Sequence, residues 1–142
     1  MANALYDLGR EGFLDGSIDW DTATIKAILV DTGTYTLAIT TDKFLSDIPA
    51  AARIATSGAL TGKTVTAGVA DAADVTWTAV TGASVEAIVL VQSSAVTGGA
   101  DVAATAQRLI AFIDTATGLP VTPNSGDITC AFDNGANKIF KL

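Results

Sequence analysis

Apolar residues along this chain come in short runs, some alternating with polar residues and some continuous, parted by clusters of Gly, Asp, Asn and Ser. Such runs with frequent turn residues predict an all-β fold. Strands are expected near 23–31, 34–41, 52–57, 63–69, 74–80, 85–92, 107–114, 127–133 and 137–142. In "DVTWTAV", Val75, Trp77 and Ala79 fall on one face and Thr76, Thr78 and Val80 on the other, which marks a core face and a Thr-rich face. "VEAIVLV" and "RLIAFI" are more continuously apolar, as expected for central strands covered on both faces.

Turn chemistry punctuates these runs. Asn134-Gly135 and Asp31-Thr32-Gly33 each stand between two strand-like runs, where residues tolerant of positive φ predict hairpins. "DKFLSDIP" predicts a single helical turn with Asp42 as its cap and Pro49 as its stop. Residues 93–105, "SSAVTGGADVAAT", are small and polar, the composition of a mobile loop or of an arm ordered by a partner.

The first twenty residues differ from the rest. In "ALYDLGREGFLDGSIDW" the apolar Leu5, Tyr6, Leu8, Phe13 and Leu14 are interrupted by Gly9, Gly12 and Gly16, too many glycines for a helix stable by itself. Such a segment gains order by lying on something, either its own domain or a neighbouring subunit. The expected division is therefore an N-terminal arm, 1–20, and a β-sandwich domain, 21–142.

Composition narrows the classes of function. The 142 residues carry 8 Lys and Arg against 15 Asp and Glu, a net charge of −7, so there is no cationic footprint for nucleic acid. Hydrophobic residues make up 49% but aromatics only 6%, an aliphatic excess that favours burial between subunits. The single Cys130 precludes an internal disulfide and is expected as a buried small hydrophobe. The start of the chain has no signal-peptide pattern and no apolar run is long enough to span a bilayer, so neither export nor membrane insertion is expected.

No reaction centre emerges from the residues. With no histidine, Ser-His and Cys-His nucleophiles are absent, as are the common zinc and copper ligand sets. Asp31-Thr32-Gly33 has the tripeptide of aspartic proteases, but Thr34-Tyr35 follow it and Val80-Thr81-Gly82 lacks the apolar pair that would brace such a loop, so a turn is the better reading. Asp15, Ser17, Asp19 and Asp21 alternate like calcium ligands, yet Trp20 and Lys26 stand where a calcium loop requires Gly and Glu. "GALTGKT" falls one residue short of the spacing of a phosphate-binding loop. Neither catalysis nor a cofactor is expected.

The stretches "ALYDLGREGFLDGSIDW", "IKAILVDTGTYT", "FLSDIPAAARIATSGALTGKTVTAGVADAADVTWTAVTG" and "LIAFIDTATGLPVTPNSGDITCAFDNGANKIFKL" together resemble small virion proteins of tailed bacteriophages. The resemblance implies a capsid decoration or cement protein on the outside of the phage head, made in the host cytoplasm, with the major capsid protein as partner. It also implies a homotrimer, since such proteins often occupy threefold positions. On this reading Leu5, Tyr6, Leu8, Phe13 and Leu14 are the docking candidates, with the 93–105 loop second. A tail, neck or head-fibre component is one alternative. A carbohydrate-binding module using Trp20, Trp77, Tyr6 and Tyr35 as stacking faces is another. The expected architecture is a single antiparallel β-sandwich, jelly-roll-like or immunoglobulin-like, with an N-terminal arm.

Overall fold

The computed structural model of the protein describes residues 3–142. Its elements are β1 (Ala4–Leu5), α1 (Asp7–Asp15), β2 (Thr24–Val30), β3 (Arg53–Thr56), β4 (Thr64–Thr66), β5 (Val69–Asp71), β6 (Val75–Trp77), β7 (Ala87–Ser94), β8 (Arg108–Ile113), β9 (Ile128–Cys130) and β10 (Phe140–Lys141). The fold is all-β and its strand pairs are antiparallel. The strands divide among three sheets: five strands in the order β1-β8-β7-β2-β3, three in the order β10-β5-β4, and the pair β6-β9.

The continuous apolar runs became the centre of the large sheet because both of its faces are covered. Along β2, Ile25, Ala27 and Leu29 pack with Ala70 of β5, Trp77 of β6 and Cys130 of β9, so the two small sheets lie on that side. Ile28 and Val30 point the other way, with Val89, Val91 and Leu109, onto Tyr6, Tyr35, Leu45 and Ile48. Each such aliphatic side chain, fully removed from water, contributes about 1.5–3 kcal/mol. Opposite Leu90 and Val91 the register slips, so β8 carries one extra residue, Ile110. Its carbonyl accepts the Tyr6 amide at 3.0 Å.

The N-terminal segment packs on its own chain. Leu5 pairs with Ala111 of β8, and α1 lies against the same strand with Gly9 and Gly12 buried. A Cβ on Gly9 would stand 2.8 Å from the Leu109 carbonyl oxygen and 3.0 Å from that of Ile110. The glycines that weaken a free helix are therefore what lets this one touch the backbone of a strand.

Several expectations are corrected. Residues 34–41 form no strand, so Asp31-Thr32-Gly33 is not a hairpin. The Asp31 carboxylate takes the Gly33 amide at 2.7 Å and the Thr34 hydroxyl at 2.9 Å, and the chain turns into a strap across the sheet. There the buried Tyr35 hydroxyl donates to Asp42 at 2.5 Å and lies 3.1 Å from that of Tyr6. Asp42 thus anchors Tyr35 and the Ala38 amide rather than capping a helix; Asp47 accepts the Lys43 and Phe44 amides and closes the 3-10 turn Leu45–Asp47.

Asn134-Gly135 joins two sheets, since β9 pairs with β6 and β10 with β5, and a hairpin there is ruled out. The run 63–69 is split into β4 and β5 by Ala67 and Gly68, at φ 52° and 79°. In 74–80 the alternation ends at Ala79, φ 50°, which is exposed while Val80 is buried.

The 93–105 segment is tied down in cis. Its first two residues complete β7, Val102 donates its amide to Ser93 O at 2.9 Å, Asp101 pairs with Lys26 at 2.9 Å, and the Thr24 hydroxyl donates to Val96 O at 2.8 Å.

Candidate docking surface

The five docking candidates part company in the structure. Leu5 lies in the core cluster shared with the small sheets and Tyr6, fully buried, in the one beneath the strap, so neither is open to a partner in this conformation. Leu8 and Phe13 are half-buried and Leu14 is 90% exposed. Phe13 reaches the surface at the end of α1, where its ring lies 5.7 Å from Phe140, which meets Trp20 edge-on at 5.2 Å.

These rings floor an open groove of about 290 Å³ between the C-terminal end of α1 and the three-stranded sheet, with Ile18, Val65 and Leu142 among its walls. Val65 and Leu142 are 56% and 57% exposed, so apolar side chains stand in water beside an apolar floor. Val65 and Leu142 were not among the sequence candidates. Their signal was weak: a valine between two threonines in "KTVTAG", and the last apolar residue of "KIFKL".

Carboxylates edge the groove at Asp19 and Asp21. Asp19 is held below the usual carboxylate range, first by the Thr22 backbone amide and then by the Thr22 hydroxyl. The same carboxylate also accepts the Asp21 amide at 2.9 Å. Asp15 likewise accepts the Ser17 amide at 2.8 Å. Asp15 and Asp19 thus serve as turn caps, and no group of three or more His, Cys, Asp or Glu able to hold a metal occurs among the described residues.

Other candidate chemistry is similarly absorbed. Both oxygens of Asp31 are used inside its own turn. Glu86 accepts the Thr32 amide at 2.9 Å and the Ser84 hydroxyl, clamping the start of the strap. The rings proposed for sugar stacking are buried: Trp20, Trp77, Tyr6 and Tyr35 are each less than 5% exposed. Cys130 is buried, and burial pushes its thiol up. No described helix is long and apolar enough to cross a membrane. No protein-family model and no curated protein matches the chain.

Proposed function

We propose that this chain is a structural virion protein of the capsid decoration or cement type, which binds between major capsid protein subunits and stabilises a phage head. The reading rests on the resemblance of its sequence stretches, and one structural observation supports it above others. The Phe13–Phe140–Trp20 groove, with Leu142 and Val65 exposed beside it, offers an apolar contact to another protein. A cement protein needs such a contact rather than a reaction centre, because its effect is binding energy repeated over a lattice. The docking residues on this reading are Phe13, Leu14, Val65 and Leu142, and the oligomer is a trimer seated at threefold positions.

Co-sedimentation of the purified protein with parental capsids lacking it tests the reading, with bound copies counted per capsid. Saturable binding at a ratio set by the lattice is expected. Absence of binding, with the protein found at the neck or tail of intact virions, overturns it in favour of a tail or neck component.

A further inference from the structure

Arg108 opens β8 with only 9% of its surface exposed, in an acidic chain, and has no ion-pair partner among the described residues. The ion pairs among the described residues are Arg10–Asp7, Lys26–Asp101, Lys43–Glu11 and Lys138–Asp71, and Arg108 belongs to none. Nη2 donates to the Leu8 carbonyl at 2.7 Å, the Phe44 ring lies 5.8 Å from Cζ, and Nε is buried without a hydrogen-bond partner. Asp15 feels the Arg108 charge, but its carboxylate is bound to Ser17 and fully exposed. A cation withdrawn from water normally sits against an anion, because its desolvation otherwise goes uncompensated.

The same residue lines an open recess of about 380 Å³ with Ser17, Phe44, Gln92, Ser94 and Thr105. Its walls are fixed: Gln92 accepts the Asp19 amide at 3.0 Å and donates to Ser17 O at 2.9 Å, while Ser94 accepts the Val96 amide at 3.1 Å. From this arrangement we infer that the recess is a binding site for a carboxylate group, held by the Arg108 guanidinium. The guanidinium is a planar fork in which Nη2 is engaged by the Leu8 carbonyl and Nε has no partner, and such a fork matches the two oxygens of a carboxylate. One cation suits a monoanion better than a phosphate dianion. The recess has room for a short aliphatic acid or the end of an acidic side chain, and Phe44 provides an apolar wall for its methylenes.

The inference does not depend on the capsid reading, and NMR on the intact chain tests it. Sodium acetate is titrated at constant ionic strength against sodium chloride while the Arg108 Nε–H resonance and the Ser94 and Thr105 amides are followed. Saturable shifts with acetate but not chloride are expected. Affinity should fall at least about tenfold in R108Q, as loss of a charge-assisted bond implies. T105F fills the recess from its exposed rim without altering Arg108, and should block binding in a folded protein even if R108Q proves unstable. A blocked peptide with one Glu, compared with its Gln counterpart, separates the sources. Binding of the Glu peptide supports reception of a protein side chain, and binding of acetate alone supports a small free acid. Lack of saturable shifts with either probe, or equal shifts in T105F, overturns the inference.

Discussion

The Cα of Gly9 faces the Leu109 carbonyl so closely that a Cβ placed on it would lie 2.8 Å from that oxygen. Such a contact is backbone against backbone, and neither side has a rotamer with which to yield. Gly9→Ala must push α1 off β8, at a cost of about 1–3 kcal/mol by the measure of overpacked cores. At Gly12 the added Cβ would meet side chains instead of backbone, Ile18 Cδ1 at 2.6 Å and Cγ1 at 2.7 Å and Arg108 Nη2 at 2.8 Å, and side chains have rotamers through which part of the clash can relax. Chemical denaturation of both variants should therefore rank Gly9→Ala below Gly12→Ala in stability, although alanine is the better helix former at each position. A reversed order would mean that helix propensity outweighs the close approach.

Alkali should unfold the protein through its paired tyrosines. Burial raises the Tyr6 and Tyr35 hydroxyls well above their ordinary value of 10.0, and the hydrogen bond from Tyr35 to Asp42 adds to the shift of Tyr35. In the unfolded chain both ionise near pH 10, while the folded chain keeps its protons. The folded state then binds more protons, so stability is intact below about pH 10 and is lost as pH rises beyond it. The slope is at most about 1.4 kcal/mol per pH unit for each tyrosine. Denaturation midpoints of Tyr35→Phe between pH 9 and 11 should fall with a shallower slope, even though the variant begins less stable by about 1–3 kcal/mol. An unchanged slope would remove Tyr35 as the titrating group.

How much of this was legible in the sequence depends on whether a signal is local. Strands β2, β7 and β8 could be read because a run buried on both faces is apolar at most of its positions. The hairpins at Asp31 and Asn134-Gly135 could not, because turn residues specify a change of direction and not the strand that receives the chain. Asp31 turns the chain into the strap that Tyr35 anchors. Asn134-Gly135 leads from the β6-β9 pair to the β10-β5-β4 sheet.

The docking candidates were no easier to sort from the sequence. Leu5, Tyr6 and Phe13 are equally apolar in the sequence, and only the tertiary contact separates the two buried in cores from the one that floors a groove. One signal was available and passed over. Gly9 and Gly12, three residues apart, lie on one helical face and mark a close approach more directly than they mark weakness.

The β4–β5 hairpin holds a residue unsuited to its backbone. Ala67 and Gly68 both have positive φ, 52° and 79°, as a two-residue turn between twisted strands requires. Glycine meets that at no steric cost, while alanine gives up about 1–2 kcal/mol in the left-handed region. Ala67 is exposed, so a replacement disturbs no packing. Ala67→Asn should raise stability by about 0.5–1 kcal/mol, and Ala67→Gly by less, because glycine also loosens the unfolded chain. Thermal melts of the two variants beside the parent check both the sign and the order.

The proposed capsid docking can be separated from folding at Leu14. At 90% exposure its side chain contributes almost nothing to the core, and alanine is the best helix former, so Leu14→Ala should change stability by less than about 0.5 kcal/mol. Were Leu14 buried at a capsid interface, the same truncation would cost about 1.5–3 kcal/mol of binding, roughly tenfold or more in affinity. Val65→Ala, at 56% exposure on the neighbouring edge of the groove, should behave alike in direction. Leu5→Ala provides the contrast: buried against β8, it should lower stability by about 2–5 kcal/mol and affect capsid binding only through loss of folded protein. Capsid titrations of the three variants, corrected for the folded fraction, decide the matter. If Leu14→Ala and Val65→Ala bind capsids as tightly as the parent, the α1 end of the molecule faces away from the lattice.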